Sequence, residues 1–140
     1  MNKDKFEFIE HTADVKFIAY GDSIEEAFKN SVLAYTTVMT TLAKVKDKDK
    51  IEIAIQSKKH TSLLYDFLTE LIFYLDTRGF IPKEVSKLNI TADLKLTATI
   101  KGQFIKNINE LDIHSYIKSV TYNEMIVDLK ENKVQVVLDI

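Results

Sequence analysis

In the stretch LNITADLKLTATI, residues 88–100, Leu88, Ile90, Leu94, Leu96, Ala98 and Ile100 fall on one side of an extended chain. Thr91, Asp93, Lys95, Thr97 and Thr99 fall on the other. A period of two marks a strand with one buried face, because successive side chains point to opposite faces. Just upstream the period is different. Leu63, Leu64, Phe67, Leu68, Leu71, Ile72 and Leu75 recur every three or four residues, the wide apolar face of a helix beginning near Thr61 or Ser62. Arg78-Gly79 closes that helix with a cation beside its last carbonyls and a glycine suited to a left-handed cap, and Pro82 follows just beyond.

Outward from this switch the chain sorts into two halves. Towards the N-terminus, Ile51, Ile53 and Ile55 alternate as a short strand. Before them Ile24, Ala27, Phe28, Val32, Tyr35, Val38, Met39 and Leu42 lie on one helical stripe, opened by a Ser23/Glu26 capping box after the turn at Gly21-Asp22. Phe6 and Phe8, then Val15, Phe17 and Ala19, alternate as strands on either side of a polar interruption, His11-Thr12-Ala13-Asp14. Towards the C-terminus come strands at Ile117–Thr121, Met125–Leu129 and Val134–Ile140, the last two joined by a turn at Glu131-Asn132-Lys133. Two early helices and a strand-rich remainder predict an α+β fold: a single domain over 1–140, with two main helices packed on one face of a mainly antiparallel sheet.

Composition narrows the chemistry. At 140 residues one core suffices without disulfide or structural metal. Cysteine is absent, which removes thiol nucleophiles and thiolate metal sites. The start, MNKDKFEFIEHTADV, has no apolar signal region, and no run approaches a membrane span, so a cytoplasmic protein is expected. The net charge of −2 and pI near 5.9 predict no strong direct nucleic-acid binding. Lys44, Lys46, Lys48 and Lys50 alternate with Asp47 and Asp49, and that run reads as a solvated linker.

Few residues remain for a site. His11, Thr12 and Asp14 within four positions read first as a polar turn bonded to nearby backbone. In the last strand Val134, Val136, Leu138 and Ile140 share one face, so Asp139 points away with Gln135 and Val137. If that strand lies near the His11–Asp14 turn, several oxygens converge, the donor set of a hard cation such as calcium or magnesium. His60 and His114 stand alone. Gly21, Gly79 and Gly102 are too scattered for a phosphate loop, and no Gly-x-Ser-x-Gly elbow exists, so a catalytic site is not expected. Asp66 and Glu70, one helical turn apart, could face a partner or simply solvent.

Phe6-Glu7-Phe8-Ile9-Glu10-His11-Thr12-Ala13-Asp14-Val15, with Tyr20-Gly21 and Ser23–Phe28, resembles the opening of an archease. So do Leu63–Ile72 running on to Asp76-Thr77-Arg78-Gly79-Phe80, Ile117–Tyr122, and the ending Val137-Leu138-Asp139-Ile140. The matches follow in order and cover nearly the whole chain. The resemblance implies a non-enzymatic accessory protein of an RtcB-type tRNA-splicing RNA ligase, promoting guanylation of the ligase and its multiple turnover. It also implies a divalent cation, calcium in the family, held by Asp14, Asp139 and a main-chain oxygen of Ile140, and it makes Lys118 a candidate for ligase contact. The sequence departs from the family at Asn123, where His is usual, and at Gln103, where Glu is usual; either change would alter a role in ligase activation. Two other readings remain: a chaperone-like modulator of tRNA-modifying enzymes such as a tRNA methyltransferase, and a metal-dependent hydrolase using His11, Asp14 and Asp139.

Overall fold

A computed structural model describes residues 4–9 and 14–140. Seven strands and two helices run in the order β1 (Phe6–Ile9), β2 (Val15–Tyr20), α1 (Ile24–Met39), β3 (Asp49–Gln56), α2 (His60–Arg78), β4 (Phe80–Ile90), β5 (Lys95–Phe104), β6 (Ser119–Asp128) and β7 (Lys133–Asp139). The α+β class holds. The antiparallel strands form two sheets rather than one, in the orders β1-β2-β7-β6 and β3-β5-β4.

Each sheet turns one face to the helices. α1 packs against β2 of the first sheet and β4 of the second, while α2 packs against β6, β3 and β4. A helix held between two sheets is buried on more than one side, so α1 buries Asn30, Ser31 and Thr36 as well as Phe28, Val32 and Tyr35. Buried polar groups need partners. Asn30 Nδ2 donates to the Tyr20 carbonyl at 2.6 Å, Ser31 Oγ to that of Phe28 at 2.6 Å, and Thr36 Oγ1 to that of Pro82 at 2.8 Å. The Thr36 bond ties α1 to the second sheet. Phe17, Phe28, Phe67, Leu68, Phe80, Leu96 and Val136 belong to one core fed by both sheets and both helices.

The helix signals survive with small shifts. Ser23 caps α1 by accepting from Glu26 N–H at 3.1 Å, but the Glu26 carboxylate reaches back to Asp22 N–H, one residue before the cap. The helix ends at Met39, and Leu42 sits instead in a short 3-10 turn. α2 stops where Arg78-Gly79 foretold, with Gly79 at φ 68°. A Cβ there would also meet the Ile105 carbonyl oxygen at 2.3 Å, so only glycine fits this cap.

The alternating stretch 88–100 is a hairpin, not one run. Thr91 N–H donates to Lys95 O, Leu94 N–H donates to Thr91 O, and Leu94 turns the chain at φ 62°. Leu88 pairs with Ala98 and Ile90 with Leu96, so even-numbered residues share a face on both strands. The pattern therefore passes through the turn in phase, and periodicity alone cannot show the reversal. The β4 strand also starts earlier than the alternation, at Phe80. Its alternation is broken by register shifts between Pro82 and Glu84 and between Val85 and Lys87, and proline in a strand belongs at such irregular places.

Candidate metal centre at the end of the first sheet

Strand register places the two predicted carboxylates. Val15 of β2 lies opposite Leu138 of β7, and the next residues outward on the two sides of that pair are Asp14 and Asp139. Residues so placed share a face. That face is the one away from the core, because Phe17 and Ala19 of β2, with Val134 and Val136 of β7, point inward and are buried. Asp139 is also held from β6: its carbonyl accepts Lys118 N–H at 2.7 Å, and Ser119 is its cross-strand partner. The main chain of Lys118 thus positions Asp139, while its side chain stays exposed.

Ile140 continues past the strand and is 37% exposed. It borders a cavity of about 410 Å³ together with Asp14, His114 and Ser115, beside the apolar side chains Phe8, Val15 and Val38. His114 is brought there by its N–H, which donates to the Met39 carbonyl at the end of α1. Nothing in the sequence near His114 announced this, since it arrives on an irregular segment between β5 and β6. The Asp139 side chain is not on the cavity wall. His11, Thr12 and Ala13 lie outside the described residues.

Donor chemistry at this end of the sheet is oxygen-rich: two carboxylates, the Ile140 main chain, and the hydroxyls of Ser115 and Ser119. Such a set suits a hard cation. Among the described residues no three His, Cys, Asp or Glu side chains come together as metal ligands, so any third donor beside Asp14 and Asp139 is a main-chain or hydroxyl oxygen, or lies outside those residues. Lys16, two residues from Asp14 on the same face, is taken by Glu124, with Nζ at 2.9 Å from Oε1.

Glu124 reaches Lys16 because β6 carries an irregularity. Thr121 pairs with Val137 and Ile126 with Gln135, which leaves residues 122–125 bulged out, with Glu124 at φ 57°. Gln135 Nε2 holds the bulge by donating to the Glu124 carbonyl at 2.8 Å. Lys16 and the bulge explain why Val137 is buried although it shares the outward face with Asp139. Asn123 lies in the bulge and is exposed, and Tyr122 stacks on Tyr65 of α2 at 4.1 Å. Desolvation, then the charges of Asp66 and Tyr65, raise the pKa of the Tyr122 hydroxyl. The half-buried Asp66 carboxylate accepts from Ser57 Oγ at 2.7 Å.

Gln103 lies elsewhere, on the second sheet. It is buried beside the lysine run, whose Lys44, Lys46, Asp47 and Lys48 are exposed as expected, although Val45 is in the core and Asp49 already belongs to β3.

The family model described as the Archease protein family matches residues 6–140. The chain belongs to the archease family. An archease of Methanothermobacter thermautotrophicus is 38% identical over 96% of this chain and 98% of its own length. A Danio rerio archease is 31% identical over 97% of this chain and 85% of its own. The solution structure of Methanobacterium thermoautotrophicum protein 1598 superposes with a TM-score of 0.75 at 33% identity, covering 97% of this chain and 99% of that one. An archease from Thermotoga maritima, described as a possible chaperone, shares the fold at a TM-score of 0.62 and 20% identity. Among the described residues of this archease no helix is long and apolar enough to cross a membrane.

Proposed function

We propose that this archease is a cytoplasmic accessory protein, not itself an enzyme, that activates an RtcB-type tRNA-splicing RNA ligase by promoting its guanylation and multiple turnover. In this reading a divalent cation, calcium by preference, is held by Asp14, Asp139 and the Ile140 main-chain oxygen. The observation that supports it is the β2–β7 register, in which Val15 pairs with Leu138, with Asp14 and Asp139 the next residues outward on each chain segment and Asp14 and Ile140 bordering one cavity. The cation would neutralise the two carboxylates and leave coordination positions open. Around it the chain's own groups do the rest. Lys118 N–H fixes the Asp139 backbone, and exposed Phe8 and Ile140 offer apolar surface for a partner beside the carboxylates. Docking there would favour the ligase conformation that accepts guanylate, since a binder shifts a conformational equilibrium by its differential affinity for the two states.

A reconstituted assay tests this. Asp14→Ala and Asp139→Ala are expected to lower calcium affinity at least about tenfold, equivalent to roughly 1.4 kcal/mol, and to abolish stimulation of ligase guanylation. Unchanged stimulation by both variants would overturn the reading. The Thermotoga maritima protein of the same fold is described as a possible chaperone. A chaperone-like modulator of a tRNA methyltransferase or similar enzyme would need a partner surface but no cation. Its effect would therefore persist in chelator, where ligase activation should be lost.

A further inference from the structure

Lys44, Lys46, Lys48 and Lys106 border one cavity of about 520 Å³ at the end of the second sheet, opposite in charge to the carboxylate pair of the first. We propose that this cavity binds a terminal phosphate: a phosphomonoester or the polyphosphate of a nucleotide. Neither the family membership nor the ligase reading assigns it a role.

Two independent features converge. The first is the sorting of charge. Lys46 and Lys48 border the cavity while the intervening Asp47 does not, and the Asp49 carboxylate accepts Phe104 N–H at 3.2 Å. Lys106 joins them from the segment after β5. The ion pairs among the described residues, Lys16 with Glu124 and Lys50 with Glu52, use none of these four ammonium groups. Two carboxylates also border the cavity, Glu110 and Asp112, and Glu110 is committed to Lys106 N–H at 3.1 Å. Four ammoniums against two carboxylates leave an excess of positive charge.

The second feature is Gln103, which is only 6% exposed. Its Oε1 accepts Lys46 N–H at 2.8 Å. A backbone N–H can only donate, so that contact fixes which end of the amide is oxygen. The Nε2 group has no partner among the described residues. It is not sealed from solvent either, for the Tyr35 hydroxyl alone is both buried and unpaired among them. Gln103 lines this cavity, so its –NH2 group, held by the Oε1 contact, is a donor placed among the lysines. Glutamate in its place would keep the bond to Lys46 and put a carboxylate where the donor is.

The convergence of these groups on one cavity, rather than along a groove, selects a group that concentrates charge. A terminal phosphate carries close to two negative charges near neutral pH, and a phosphodiester carries one. Lysine binds phosphate as a point charge without demanding the planar geometry of arginine.

The test uses the full chain with inorganic phosphate, GTP, and a short RNA with or without a 5′-phosphate, in about 50 mM and about 200 mM salt. GTP and 5′-phosphorylated RNA are expected to bind, more weakly at the higher salt. Gln103→Glu and Lys106→Ala should each weaken binding by about tenfold, whereas Lys58→Ala should not. Lys106 is exposed, so its variant keeps the test decisive if Gln103→Glu is poorly folded. The proposal is overturned if no probe binds at low salt, or if Lys106→Ala binds as the parent does. Equal binding of unphosphorylated RNA or of a polyglutamate peptide would overturn it too. None of these outcomes touches calcium affinity at Asp14 and Asp139, so this site and the ligase reading fail separately.

Discussion

The acidic and basic ends of this archease are assembled by different means. At the acidic end, main-chain hydrogen bonding does the positioning: β2 pairs with β7, β7 pairs with β6, and Asp14 and Asp139 follow from that register. A one-residue slip would move every side chain to the opposite face, so the placement is as firm as the buried face that fixes it. At the basic end, lysines from the segment before β3 meet Lys106 after β5, joined by Gln103 to Lys46 and by Asp49 to Phe104. The acidic end depends on a ladder, and the basic end on a few capped loops.

That contrast can be broken by mutation. The largest effect is expected at Phe17, which is fully buried in β2, pairs with Val136 and meets the Phe8 ring edge-on at 6.4 Å. Phe17→Ala should lower unfolding free energy by about 3–5 kcal/mol in urea titration. It should also weaken calcium binding in the fraction that remains folded. Loss of stability with calcium affinity intact would show that the register does not hold the site. Gly79→Ala comes next. The left-handed backbone and the nearby Ile105 carbonyl predict a loss of about 2 kcal/mol. Ile105 precedes Lys106, and Ile105 N–H donates to the Gly79 carbonyl, so this change should weaken phosphate binding and spare calcium.

Tyr35→Phe should have the smallest effect, with the opposite sign. The Tyr35 hydroxyl is fully buried without a hydrogen-bond partner among the described residues, and burial, then the Asp76 charge, drives its pKa upward. Removing an unpaired buried hydroxyl should leave stability unchanged or raise it by about 1 kcal/mol, read as a small rise in the thermal midpoint. Neither ligand affinity should move. A drop of more than about 1 kcal/mol would mean that the hydroxyl has a partner in solution.

Local chemistry made much of this legible. The Ser23 cap, the Gly79 stop and the stripes of α1 and α2 are written in neighbouring residues, because helices are built from contacts three and four positions apart. The outward direction of Asp139 needed only alternation. Its pairing with Asp14 did not follow from alternation, since the partner strand lies more than a hundred positions away and came only from family resemblance.

Tertiary structure alone decided the rest. Parity carried the alternating pattern unbroken through the β4–β5 hairpin and hid it, and the division into two sheets follows from which strand edges pair. His114 reached the Asp14 cavity on an irregular segment tied to α1 by its own bond to the Met39 carbonyl and by Thr40 Oγ1 to the Leu111 carbonyl. The Lys/Asp run looked self-neutralising as a string of charges. It becomes a basic surface because Val45 is buried, Lys46 and Lys48 border the cavity while Asp47 does not, and Gln103 of β5 and Lys106 just beyond it join them. Sequence sets the chemistry each residue carries and the face it takes within its own element. Which faces meet depends on pairings between distant segments, and periodicity carries no record of them.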